Sequence, residues 1–444
     1  VRGFNTPTLC VGVVDFVKGY HAMKELLKNK HYMLYWFATA FSMAASNVLQ
    51  FVLSLYVLDI TGSAVVFSSI VSIIIIPRLL FSPIGGYIGD RFQRIKSMIV
   101  INTFTAFIIL IYALFTSQFA MRTLIPVYLL VIMLEIFEVL YNGAASGLVK
   151  RLVGEDLLSQ ASAFATLDDG IVGLCAPIMA GFIYHFLGIN GGFWLAFALM
   201  SISVILKMHI HMQEDRSIKM NEEDMKKGII GSFISSLKII FKHNVIWKMM
   251  LLFPVINFFL VSLFSVTNMY VLRNILKVSP AEIGFFEAVI SIVSTGVPVL
   301  LIGIIKKMNP VKYFALILGV MFLSLALASI ILMYISRRKL HVWFVMNVIL
   351  TLTCILVITV ITINIMNSVI FQVIVPDTFI GRFYSVMRMI STVSIPVGQV
   401  VYGFLSDYTP LYFSYGVSAA GIFICFMIAS NVFKGYKKLE EIRR

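Results

Sequence analysis

The chain has 444 residues, of which 60% are hydrophobic and 13% charged, about half the charged share of an ordinary globular protein, which excludes a conventional soluble domain. Its formal net charge of +14 would suit nucleic acid only if Lys and Arg clustered on one solvated face. Instead they punctuate long apolar runs, so nucleic acid is not an expected partner.

Residues 1–22 lack the ordered charged, apolar and small-residue regions of a cleaved signal. They are expected to be an upstream extension, because Met23 opens the basic run MKELLKNKHY directly before the first apolar segment. A helix needs about 20 apolar residues to cross a hydrocarbon core, since backbone polar groups in lipid must be satisfied within the helix. Apolar runs of that length predict spans at 31–58, 64–89, 97–117, 122–149, 157–187 and 191–211. A second set follows at 246–272, 281–305, 311–336, 341–373, 382–407 and 410–433.

The longest polar stretch, QEDRSIKMNEEDMKK from Gln213 to Lys227, divides these spans six and six. Behind it, Ile230, Phe233, Ile234, Leu237, Ile240 and Phe241 recur at helical spacing opposite Lys238 and Lys242, predicting an amphipathic interfacial helix. The expected organisation is therefore an N-terminal bundle at 23–212, a cytoplasmic linker at 213–245, a C-terminal bundle at 246–433 and a tail at 434–444. With both termini cytoplasmic, about 27 of the 35 Lys and Arg fall inside, as the positive-inside rule requires. Arg337, Arg338 and Lys339 run against that scheme.

Weak internal repetition supports two related halves. GGYIGDRFQRIK after the second span corresponds to LLIGIIKKMNPVK after the eighth, and APIMAGFIY in the fifth corresponds to IPVGQVVYGFL in the eleventh, Pro177 matching Pro396. A binding site between two six-helix halves follows as the natural expectation. Cys10, Cys175, Cys354 and Cys425 show neither metal nor disulfide spacing and are expected as buried free thiols.

Seven ionisable residues are candidates for positions away from the span ends: Arg78, Glu135, Glu138, Asp168, Asp169, Glu287 and Arg388. Each costs roughly 2.5–3.5 kcal/mol near a helix centre on insertion scales, so each should face a cavity, find a partner or be neutral. Clustered carboxylates in a low dielectric repel one another and lose solvation, which favours their protonated form and suits them to carrying protons. Glu138 and Asp168 lie about 15 residues either side of a turn near Val153, which places them at one depth, and Glu135 shares a face with Glu138. Asp168 and Asp169 point about 100° apart, so both cannot face one cavity. Five acids against two arginines leave room for structural bridges and for at least one coupling or substrate carboxylate. Asn257, Asn268, Asn347, Asn364 and Asn367 could line a cavity or bond between helices.

Gly86, Asp90, Arg91, Arg94 and Lys96 form G-x-x-x-D-R-x-x-R-x-K where the second span ends. Here the chain resembles the major facilitator superfamily, whose signature loop between helices 2 and 3 has this form, with Gln93 standing where a glycine is usual. The resemblance implies that Asp90 engages the N-terminal end of the eleventh helix while the arginines meet nearby carboxylates, locking one access state; a purely topological role for these cations is the alternative. Gly173, Ala176, Pro177, Ala180 and Gly181 are similar to the glycine-proline motif of antiporters in that superfamily, and with Pro396 and Gly398 they also suit close packing or hinging of helices.

The stretches PRLLFSPIGGYIGDR, LVGEDLLSQASAF and GRFYSVMRMISTVSIPVGQVVYGFLSD resemble the drug:proton antiporter branch that includes macrolide and enterobactin exporters. That resemblance implies an all-α membrane protein with twelve transmembrane helices in two pseudo-symmetric bundles. It further implies a monomer in the cell membrane, without cofactor or metal, exporting a bulky amphipathic or cationic small molecule in exchange for protons. Uptake by proton symport, or export of a siderophore or lipid, stays open. A membrane enzyme is disfavoured because no histidine falls mid-membrane and no nucleophile motif is present. A non-transporting receptor is disfavoured by the number of intramembrane acids.

Overall fold

The computed structural model describes residues 23–119, 124–211, 244–305, 310–337, 341–374 and 377–443. The expected extension at 1–22 and nearly all of the linker at 213–245, with its amphipathic helix, lie outside them.

In chain order the helices are α1 (Lys30–Thr61), α2 (Ala64–Ile73), α3 (Ile75–Arg91), α4 (Arg94–Phe119), α5 (Ile125–Ala145), the short α6 (Leu148–Val153) and the long α7 (Leu158–Met208). They continue as α8 (Asn244–Ser262), α9 (Pro280–Ile305), α10 (Pro310–Ser336), α11 (Val342–Ile374), α12 (Asp377–Tyr408) and α13 (Leu411–Arg443). Among the described residues ten helical stretches are long and apolar enough to cross a membrane. One of these, α7, is two helices: Gly188 adopts φ 62° and ψ −158°, a conformation costly for any residue with a Cβ, and breaks it. Adding α12, whose length of 32 residues also suffices, recovers the twelve spans expected from the apolar runs.

Sequence chemistry sets the helix ends. Ser279 and Glu282 form a reciprocal capping box at the start of α9: the Ser279 amide donates to Glu282 Oε2 at 2.9 Å and the Glu282 amide to Ser279 Oγ at 3.4 Å. Large apolar side chains such as Leu80, Phe186, Leu300 and Leu323 stand exposed. In water that density of apolar surface would drive aggregation, whereas in a bilayer it is the solvated face. The chain is a multi-pass membrane protein.

The residues fall into two compact units, one of Val1–Val52 and Ile76–Ile218 and the other of Leu53–Ile75 and Lys219–Arg444. In the first, α4 packs on α7 and α5. A close approach joins α3 to α5: a Cβ on Gly85 would lie 2.8 Å from the Val139 carbonyl, and one on Gly143 would overlap the backbone of Gly85. Small residues four apart, Gly85 and Gly89, let two helix backbones touch, which is how apolar helices associate without a hydrophobic driving force between them. In the second unit α10 packs on α13 and α11, while α12 lies against α8 and α2. Residues 53–75 precede the linker in the chain yet sit in the second unit.

The thiols differ from expectation. Cys425 is buried and Cys354 half-buried, but Cys175 is exposed. An apolar run marks a low-dielectric setting and leaves open whether a side chain meets protein or lipid. Cys10 lies outside the described residues.

The glycine contact gives a paired prediction. Gly143→Ala should destabilise the protein by about 1–3 kcal/mol through overpacking, whereas Gly86→Ala, which meets nothing within 4 Å, should be neutral or slightly stabilising. Thermal unfolding in detergent distinguishes them; equal melting temperatures would refute the contact.

Candidate functional site

In the first unit, helix geometry sorts the intramembrane acids. The buried stripe of α7 runs through Ala161, Phe164, Asp168, Val172, Ala176 and Ala180, a spacing of three and four that defines one face. Asp168 lies on that stripe, only 4% exposed, whereas Asp169 is exposed on the next position round. On α5, Glu135 is buried and Glu138 exposed. Within the first unit the acids therefore differ in burial, Glu135 and Asp168 being buried and Glu138 and Asp169 exposed. Glu287 is half-buried in α9 of the second unit.

Glu135 has a partner. Arg78 on α3 donates from Nε to Glu135 Oε1 at 2.7 Å, its side chain 45% exposed against 5% for the glutamate. The cation thus keeps contact with its surroundings while the anion relies on the cation. The side chain of Arg388, the other expected partner, lies outside the described residues.

Asp168 has a different setting. Its Oδ1 is buried without a hydrogen-bond partner among the described residues. Aromatic residues of α1 fix the turn of α7 that precedes it: Tyr32 donates to the Ala161 carbonyl at 3.1 Å and Trp36 Nε1 to the Phe164 carbonyl at 3.0 Å. The rings of Tyr32 and Trp36 meet Phe164 edge-on, with centroids 6.4 and 5.5 Å away. Leaving a buried polar atom unbonded costs roughly 1–3 kcal/mol. Such atoms mark places held for a proton, a water or a ligand.

One buried charge was not singled out by the sequence. Lys207 is fully buried near the end of α7; it donates to Ser203 Oγ at 2.7 Å and lies 4.8 Å over the Tyr141 ring. Ser203 in turn donates to the Ala38 carbonyl at 2.6 Å, and Asn102 bridges Ser203 and Ser42 at 3.4 and 3.1 Å. By position Lys207 lies near the end of the predicted span 191–211, where cations set topology, and nothing in the spacing marks it as buried.

Within the signature loop, Arg91 lies over the Tyr87 ring at 5.4 Å, Lys96 is exposed, and buried Arg94 donates to Ser146 Oγ at 3.4 Å. Ser146 is the C-cap of α5, so Arg94 meets the helix end that carries partial negative charge. The Asp90 side chain lies outside the described residues. In the packing motif, Ala176 and Gly181 are buried, with Gly173 and Pro177 half-buried beside them.

The second unit carries a satisfied polar centre. Asn268 donates to Thr353 at 3.1 Å and accepts from Tyr415 at 2.9 Å; Thr267 pairs with Ser406 at 2.9 Å, and Gln399 donates to Ser265 at 3.2 Å. Asn268 thus bonds between helices. The segments Leu263–Asn268 and Val271–Ile275, which prolong α8, are π-helical, a widening that recurs at functional sites. Gly398 on α12 sits against α8, where a Cβ would lie 2.5 Å from the Phe258 carbonyl. The Pro396 carbonyl accepts from Ser72 of α2 at 3.0 Å.

Solved structures share this fold at low sequence identity. A bacterial homologue of the iron transporter ferroportin in an inward-facing state aligns with a TM-score of 0.70 at 15% identity, covering 92% of this chain and 99% of its own. The nucleoside transporter NupG gives 0.67 at 15%, covering 92% and 99%. A point mutant of the peptide transporter POT in complex with alafosfalin gives 0.65 at 13%, covering 90% and 94%. No curated protein matches the chain. The family model of the Major Facilitator Superfamily matches residues 35–399, most of the helical chain from α1 into α12, and the chain therefore belongs to the Major Facilitator Superfamily.

Proposed function

We propose that the protein is a proton-coupled secondary transporter that exports a bulky amphipathic or cationic small molecule by alternating access, with Asp168 as its coupling carboxylate. The observation that carries this reading is the buried Oδ1 of Asp168, which has no hydrogen-bond partner among the described residues. A carboxylate there is costly when charged and is relieved by taking a proton or a cationic substrate. Exchange of one for the other is the chemistry of an antiporter, in which each ligand favours a different state. The likeness of the sequence to drug:proton antiporters favours export over uptake.

Glu135 is assigned a structural role, because Arg78 already neutralises it. Glu138 and Asp169, exposed on their helices, are assigned no coupling role. Glu287 remains a candidate substrate carboxylate of the second unit. The protein works as a monomer in the cell membrane with both termini cytoplasmic.

Reconstituted liposomes with an imposed pH gradient, scanned with macrolides, lipophilic cations and siderophores, test this reading. Asp168→Asn should abolish gradient-driven flux of whichever compound is carried, while Glu138→Gln should retain it. Wild-type flux in Asp168→Asn would overturn the coupling assignment.

The Arg78–Glu135 pair predicts an asymmetry in stability. Arg78→Gln strands a buried anion and should cost about 1–3 kcal/mol, less than a fully buried pair because the arginine is half-exposed. Glu135→Gln leaves a cation that is already partly exposed and should cost less, and the double variant should recover much of the loss. A thermal-melt double-mutant cycle in detergent reads all three; strictly additive effects would contradict the pairing.

A further inference from the structure

Within the second unit α10 and α13 pack together along their length. Ser329 donates from Oγ to the Tyr412 carbonyl at 2.7 Å, and the ring centroids of Phe322 and Phe423 lie 5.0 Å apart, so the two helices run antiparallel. Between those contacts they leave a groove of about 370 Å³. Ala326, Gly416 and Ala420 are too small to fill it, while Phe322, Phe423 and Ile330 bound it. Ser329 directs its hydroxyl to the helix backbone, so the lining offers little to a polar ligand. The groove opens beside Leu323, Leu327 and Ile330, an exposed stripe at three- and four-residue spacing on α10, which is a face that meets lipid.

The antiparallel register sets the depth of the groove. Arg337, one residue past the end of α10, stands level with the turn that joins α12 to α13. Exposed Tyr334, Trp343 and Tyr408 cluster at this end of α10, α11 and α12, and such rings collect where membrane meets water. Ile330 and Phe322 lie about 10 and 22 Å of helix below Arg337. One leaflet contributes about 15 Å of hydrocarbon beneath its headgroups, so the groove covers acyl-chain depth in the leaflet whose headgroups reach Arg337. Arg337 is exposed and makes no ion pair among the described residues. Asp407, an acid at the same end of α12, is already engaged by Ser63 Oγ and by the Ala64 and Val65 amides.

We propose that the groove between α10 and α13 is a binding site for an anionic phospholipid, with an acyl chain against the small residues and the phosphate on Arg337. Charge complementarity selects this occupant. Guanidinium recognises phosphate through charge-assisted bonds, whereas the same cation repels a cationic cargo. A second copy of the chain docking about a two-fold axis would bring its own Arg337 into the interface, like charge against like. Arg337 also opens the run Arg337, Arg338 and Lys339, which stands against the positive-inside pattern of the chain. An anionic headgroup gives that cation a role that topology does not.

Lipid occupancy requires neither cargo nor proton gradient, so the site is tested independently of the function proposed above. Full-length protein is reconstituted in phosphatidylcholine vesicles with a trace of phosphatidylglycerol, or of phosphatidylcholine, carrying a diazirine in its acyl chain. After illumination, peptide mass spectrometry reads the label on residues 322–330 and 416–423. The phosphatidylglycerol probe should label them about fivefold more than the phosphatidylcholine probe, the factor one cation near an anionic headgroup is worth. Arg337→Gln should bring the two probes to parity and Arg337→Lys should keep the preference. Ala420→Phe, at an exposed position, should fill the groove and remove labelling there by both probes, while exposed Phe104 and Phe107 of α4 stay labelled as before. Equal labelling by the two probes in the parent, an undiminished preference in Arg337→Gln, or cross-linking of the groove to a second copy in place of lipid would each overturn the proposal.

Discussion

Everything in this molecule follows from the absence of water around most of its backbone. A peptide group in hydrocarbon must find its hydrogen bond within the chain, so each crossing is helical and each polar side chain left inside needs a partner or a purpose. That constraint produces the apolar runs, confines loop chemistry to helix ends, and makes the few intramembrane charges informative. Arg78 with Glu135, Lys207 with Ser203 and the Tyr141 ring, and Asp168 with an unbonded oxygen are three different answers to the same problem.

The same constraint explains how the helices associate. Lipid tails are as apolar as leucine, so helix contacts depend on close backbone approach and on hydrogen bonds. Gly85, Gly89 and Gly143 supply the first kind between α3 and α5, and the Thr267–Ser406 and Asn268–Thr353–Tyr415 bonds supply the second around α8.

Much of the fold was legible because long apolar runs, prolines and glycines punctuate the chain so plainly. The break at Gly188 and the start of α9 at Ser279 fall where those signals put them. Facing directions were harder to read. With 60% hydrophobic residues, nearly every helix face is apolar, and the sequence does not distinguish a side chain against lipid from one against protein. Asp168 and Glu138 therefore looked equivalent, although one is buried and the other exposed. Lys207, near the end of a predicted span, looked like one of the cations that set topology for the same reason. The placement of 53–75 depends on contacts more than 300 residues away in sequence, which no local pattern encodes.

The central claim is that Asp168 gains and loses a proton inside the membrane-embedded first unit. Infrared difference spectroscopy of the protein in lipid, between acidic and alkaline buffer, observes this directly through the carbonyl stretch of a protonated carboxyl group. A protonated-carboxyl band that titrates in the parent and disappears in Asp168→Asn is the expected result. An identical band in the two proteins would contradict it.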